Sequence, residues 1–420
     1  MRAALLFAFL AYGQDSADVA WQNTVRLAHV KQKVAAALAN QPDFTCVATL
    51  ERFLRPATAS GKASAEQRLD TVRVEVAYVG GKELYSWPGE NKFSDTPITR
   101  MVGVGMVGDG EFAVHAHNVF VSGGGIVTYA GPEGGLLRWD YTISSYESGW
   151  TVSGKGASQL VGSAGSFWVD AQTLDLVRMD NHATDFLPTF PLQGAVSRVD
   201  YGKLRIGEQE VLMPVRSEMK TVDLDGGGNR NVTQYSNCRQ YAGQSTISFG
   251  ALPPEAAAPV APPVQVQEFQ LPPATVLRLR LSQDLSLAHA AVGDPVEASL
   301  VAALRDGDRE IVPRGAVVRG RVRLVSRESA ASQYAELGLS FEELEFQGHT
   351  SQFTALLKSF DSELPNVRLD VISSGVYSGQ MLTRTQVGAT KMAGASVFFI
   401  RADSLGIPKG TLMTWVTAAK

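Results

Sequence analysis

Only two cysteines and six histidines occur among 420 residues. Cys46 and Cys238 form no C-x-x-C pair, and neither has a histidine close to it in sequence. A thiol redox centre and a Cys/His zinc site are therefore both unsupported. An excess of one charge is also missing: 38 Lys and Arg stand against 42 Asp and Glu. That balance gives no electrostatic reason to expect nucleic acid as a partner. No segment after the N-terminus reaches the ~18 uninterrupted apolar residues of a membrane helix. No nucleophile elbow, Walker loop or H-E-x-x-H occurs either, so catalytic, metal and cofactor-binding residues are all expected to be none. A hydrolase would have to assemble its site from scattered residues.

What is present begins with "MRAALLFAFLAYGQ". Arg2 precedes an apolar run from Ala3 to Ala11, and Ala11 and Gly13 supply small side chains beyond it. That is the pattern of a secretory signal peptide over residues 1–14. It implies a periplasmic or secreted protein, soluble after cleavage. In an oxidising compartment the two cysteines can join in one bridge, and two free buried thiols are the alternative. Closing a loop of nearly two hundred residues would remove unfolded-chain entropy worth on the order of 4–5 kcal/mol.

The stretch "ALPPEAAAPVAPPVQVQEFQLPP" interrupts the chain at residues 251–273. Its prolines mark an extended linker between a domain at 15–250 and another at 274–420. In the first, Val19, Val25, Ala28, Val34 and Leu38 lie close to one helical face. Residues 54–67 lack periodicity and read as a loop. Alternation through Val72, Val74, Val76 and Tyr78 before Gly80-Gly81 marks a hairpin. A second hairpin turns at Asp170–Thr173, and three long strands follow, joined at Gly207-Glu208 and Gly226–Gly228. Between these groups a short helix carries Phe112, Ala116, Val119 and Phe120 on one face. The second domain repeats a Pro–small–polar start before strands at residues 272–281, 313–322 and 408–417, which suits a small β-barrel or sandwich. The fold class is mainly β (α+β).

Several motifs invite chemistry and lose it on inspection. "GVGMVG" (103–108) has the dinucleotide-binding spacing, but antiparallel hairpins flank it where a βαβ unit is required. His115 and His117 would point about 200° apart on a helix, and His182 becomes a third metal ligand only if that helix is absent. Arg278, Arg280, Arg319, Arg321 and Arg323 alternate along strands as a basic, solvated face. Asn231-Val232-Thr233 fits a glycosylation sequon.

The segments "QPDFTCVATLERF", "RVEVAYVGGKELY", "GSFWVDAQTLDLVRMD" and "DYGKLRIGEQEVLMPVRSEM" resemble the bacterial LolA/RseB-like group of lipoprotein carriers and envelope-stress sensors. The resemblance implies an open antiparallel half-barrel with capping helices over about 15–250, whose concave side holds acyl chains. "VGDPVEA" and "IPKGT" are similar to turns in TrbI-type secretion and conjugation β-barrels, which implies an assembly module. The expected function is non-catalytic binding of a lipid or of lipoprotein acyl chains in a trough lined by Val72, Val74, Val76, Tyr78, Trp87 and Phe167. Envelope proteins are possible further partners. The alternative is an interaction protein whose cavity its own side chains fill; an envelope-polymer hydrolase ranks third.

Overall fold

The computed structural model describes residues 4–57, 64–90, 92–102, 106–108, 114–241, 267–326, 334–360, 367–370, 395–401 and 406–418. Helix α1 (Ala4–Ala39) leads into eleven strands of one sheet. These are β1 (Phe44–Arg55), β2 (Gln67–Val79), β3 (Lys82–Ser86), β4 (Ile126–Glu133), β5 (Leu136–Ile143) and β6 (Trp150–Gly154). They continue as β7 (Ala157–Asp170), β8 (Leu176–Thr184), β9 (Leu192–Ile206), β10 (Gln209–Asp223) and β11 (Gly228–Gln240). Two short helices, α2 (Ile98–Met101) and α3 (Val114–Phe120), lie between β3 and β4. The order across the sheet is β3-β2-β1-β11-β10-β9-β8-β7-β5-β4, with β6 pairing the start of β7. All these pairings are antiparallel. The sheet is an open, curled half-barrel.

Its alternating burial is what turns one face inward. Along β1, Cys46, Ala48 and Leu50 are buried while Val47, Thr49 and Glu51 are only partly so. The β2–β3 turn falls at Gly80-Gly81, and the β7–β8 turn is held by the Asp170 carboxylate, which accepts the Gln172 and Thr173 N–H groups at 2.9 and 2.7 Å. The apolar stripe of α1 differs in part from the sequence expectation. Val30 and Val34 are buried, with Leu27 and Leu38 packed beside them, whereas Ala28 is exposed. The loop after β1 is also shorter than expected, because Leu54 and Arg55 extend β1 and Gln67 opens β2; residues 58–63 lie outside the described residues. So do Phe112 and the first three residues of the glycine motif.

A second sheet, of ten strands among the described residues, begins at Gln267–Glu268 near the end of the proline-rich stretch, most of which lies outside the described residues. The repeated turns share one geometry. Ala274, Gly315 and Gly410 each adopt positive φ (62°, 87° and 86°) two residues after Pro272, Pro313 and Pro408. Each then donates its N–H to a neighbouring strand: Ala274 to Thr417, Gly315 to Leu300 and Gly410 to Leu281. Where the chain must pass through the left-handed region, glycine does so without a Cβ penalty. The ends of this sheet approach each other, with the Leu357 N–H donating to Ser396 Oγ at 2.9 Å. Among the described residues, twenty-seven buried side chains, including Phe341, Phe398 and Trp415, fill its interior.

Candidate functional site, the concave face of the first sheet

Register places the inward side chains in rows that cross the strands. One row runs Tyr129–Trp139–Phe167–Met179–Val199–Ser217–Thr233–Leu50–Val72. It is aromatic at the β4 end, small and polar in the middle, and aliphatic at the β2 end. The next row runs Tyr141–Gly165–Asn181–Ser197–Met219–Asn231–Arg52–Asp70 and is mostly polar. The concave face is thus not one continuous apolar surface.

Two apolar clusters result. Under α1 and α3, Val30, Val34, Ala116, Val119 and Phe120 cover Trp139, Phe167, Met179 and Val199. This half is densely filled. Trp139 stacks on Phe167 with ring centroids 5.5 Å apart, and Phe120 meets Phe167 edge-on at 4.9 Å. The second cluster lies against β1–β3 and holds Phe44, Cys46, Leu50, Val72, Val74 and Val76. Tyr78 and Trp87 pack at its margin and remain half-buried. Val72, Val74 and Val76 are closed from solvent, at 0%, 0% and 2% exposure, beneath Ile98 and Val102 around the single turn of α2, then Val107, and Val292 from beyond the proline-rich stretch. Of the six trough residues read from sequence, Val72, Val74, Val76, Tyr78 and Trp87 come together. Phe167 belongs to the other cluster, six strand steps from Val72, or about 29 Å along the sheet. Alternation identified inward residues, but strand order decided which of them meet.

The polar row attaches the cover to the sheet. Ser163 donates to Asn181 Oδ1, and Asn181 Nδ2 lies 2.8 Å from His115 Nδ1 on α3. Asn231 Nδ2 donates to the Met106 carbonyl at 2.6 Å. Asn231 is only 3% exposed, so the sequon it opens is unavailable as folded. Burial pushes the His115 imidazole down to about 4, which makes it neutral near pH 7. His117 points elsewhere, with Nδ1 3.1 Å from Ser122 Oγ. At the β1–β2 end, Arg52 makes a bidentate pair with Asp70 at 2.7 and 2.5 Å, both side chains under 10% exposed. Outside the sheet, Asp175 holds Lys33 of α1 and Lys203 of β9, each at 2.7 Å. Burial works to raise its carboxyl, but hydrogen bonds from those lysines outweigh it and bring the group down to about 2.

Cys46 and Cys238 form a disulfide. It joins the first strand of the sheet to the last, at a bulge where Thr45 pairs with Arg239 and Val47 with Ser236. Asn237, the extra residue, takes a positive φ of 51°. The row of arginines on the second sheet divides: Arg278 and Arg280 are exposed, as their spacing suggested, whereas Arg319, Arg321 and Arg323 are held by acids. Arg319 is held by Glu297, Glu343 and Glu345, and Arg323 by Glu342. These glutamates sit on adjacent strands, a relation that sequence spacing does not show. Among the described residues no helix is long and apolar enough to cross a membrane.

No family model and no curated protein matches the chain. Among solved structures it is similar to a LolA superfamily protein from Nitrosomonas europaea, at 8% identity and a TM-score of 0.26, over 50% of this chain and 93% of that one. A DUF1329 family protein from Desulfovibrio piger is similar at 14% identity and a TM-score of 0.25, covering 52% and 93%. A putative outer membrane lipoprotein-sorting protein domain from Vibrio parahaemolyticus follows at 11% and 0.25, covering 52% and 94%.

Proposed function

We propose that this is a non-catalytic protein of the bacterial envelope that holds an acyl chain of a lipid or lipoprotein against β1–β3. Residues 1–14 export it, residues 15–250 form the binding domain, and residues 251–273 lead to a second domain at 274–420 that serves in assembly. The observation that carries the reading is the uneven cover of the concave face. Two helices and an aromatic stack fill one half. The other buries Val72, Val74 and Val76 under a single helical turn, Val107 and Val292. A one-turn helix has little stability of its own, so lifting it costs mainly the burial of Ile98, Val102 and Val107. An acyl chain entering there regains about 0.8 kcal/mol per buried CH₂. Tyr78 and Trp87 at the margin suit a ligand with one apolar and one polar end.

The test is native mass spectrometry and lipid extraction of protein purified without detergent, followed by uptake of labelled palmitate. Co-purifying lipid or stoichiometric uptake supports the reading. Ligand-free protein that takes up no palmitate ends it, and leaves the second reading: an interaction protein. The Trp139–Phe167–Phe120 packing and the full burial of Val72, Val74 and Val76 favour that alternative, since the chain's own side chains cover both halves of the concave face.

A further inference from the structure

The edge of β2 is only half covered by its own hairpin. β3 pairs with Glu75 through Val79, while Gln67 through Val74 lie beyond its reach. A strand edge left bare presents unpaired N–H and C=O groups. Here a turn just before the strand Pro295–Leu300 supplies a partner at one point. Val292 forms a parallel bridge with Val72: the Arg73 N–H donates to the Val292 carbonyl, and the Val292 N–H to the Thr71 carbonyl, both at 2.8 Å. The Val292 side chain is buried in the same apolar cluster as Val72 and Val74.

The turn that presents Val292 is held by hydrogen bonds within its own part of the chain. Asp294 Oδ2 accepts the Ala291 N–H at 2.9 Å, and Gly293 and Val322 tie the turn to the strand Val317–Ser326. Charges flank the bridge on both sides. Asp294 pairs with Arg73, and Arg321, only 11% exposed, reaches Glu90 at 2.9 Å and the Pro88 carbonyl at 2.8 Å. The Arg323 guanidinium lies 5.9 Å from the Trp87 ring centroid. Gly293, at φ +99°, fits the seam because it has no side chain. A Cβ there would stand 2.4 Å from the Arg73 carbonyl oxygen and 2.5 Å from Trp87 Cε3.

We infer that the edge of β2 left bare at Thr71–Arg73 is an interaction surface, and that the Ala291–Asp294 turn is its built-in occupant, seating the second sheet on the first. The second sheet is thereby a fixed wall of the β1–β3 cluster, not a module trailing on a tether. Lipid binding is not required for this seat to exist, so the two readings stand or fall separately.

Hydrogen exchange on the full chain tests it. In the unaltered protein the Arg73 and Val292 amides are protected. Gly293→Val accelerates both at least tenfold while amides of the strands Val317–Ser326 and Phe44–Arg55 stay protected. Gly307→Ala is the control: Gly307 also has positive φ (59°) but open space around its Cβ position, so it leaves the seam unchanged. Should Gly293→Val fail to fold, Arg321→Ala gives the second measurement, with at least threefold faster exchange at Arg73. Rapid exchange of Arg73 and Val292 in the unaltered chain, or protection that survives both substitutions, overturns the inference.

Discussion

His115 shows how one side chain couples the cover of the concave face to pH. It is buried, and its neighbours are the neutral Asn181 amide and the edge of Trp150, 5.1 Å away between ring centroids. Nothing in that pair stabilises an imidazolium. Its folded pKa of about 4 lies below the ordinary value of 6.5, so the unfolded chain binds the extra proton first as pH falls. Stability from this group is intact above about pH 6.5 and declines as pH falls toward 4, by about 3 kcal/mol. Urea unfolding at pH 7 and pH 4 measures it, and His115→Gln should lose that share of the acid sensitivity. The Arg52–Asp70 pair carries a different risk. Asp70→Ala strands a buried guanidinium and should lower stability by about 3–5 kcal/mol, read from the urea midpoint. Replacing both partners with apolar residues should cost far less.

At the scale of strands, the disulfide matters for where it lies more than for being a disulfide. β1 and β11 are adjacent in the sheet yet begin and end its strand sequence, so pairing them closes almost the whole first sheet. Such long-range pairing is entropically the hardest to form. The bridge spans a sequence separation of 192 residues and sits at one end of that pairing. Replacing Cys46 and Cys238 together with alanine should reduce unfolding free energy by about 4 kcal/mol, measured in urea. The loss should centre on β1 and β11, and hydrogen exchange in the second sheet should not change. The helices divide in a similar way. α1 and α3 hold through packing and the Lys33–Asp175 link, whereas α2 holds by few side chains, so exchange should be fastest at α2.

For the molecule as a whole, two curled sheets meet at a seam that includes two backbone hydrogen bonds, the buried Val292 side chain and flanking ion pairs. That seam backs the β1–β3 cluster where an acyl chain is proposed to sit. A ligand that binds only the folded chain raises its stability by RT ln(1 + [L]/Kd), about 2.7 kcal/mol at a hundredfold excess over Kd. Palmitate titrated into the full chain should therefore raise the melting temperature in a concentration-dependent way. A melting temperature indifferent to palmitate would count against the binding site and leave the seam untouched.

The sequence by itself determined the mainly β class, the alternating inward residues, the α3 face at Ala116, Val119 and Phe120, and the proline–small turns. Each is a local matter: pleat and helix periods or a residue's allowed φ decide it within a few positions. The same locality explains why Val72, Val74 and Val76 were legible as one inward set. Only the tertiary structure decided that Phe167 stands apart from them, that glutamates on neighbouring strands neutralise Arg319 and Arg323, and that Val292 completes the edge of β2. Those facts depend on strand order and on which sheet edge lies bare. Pairing between strands distant in sequence is set by the free energy of the whole fold, and no local pattern records it.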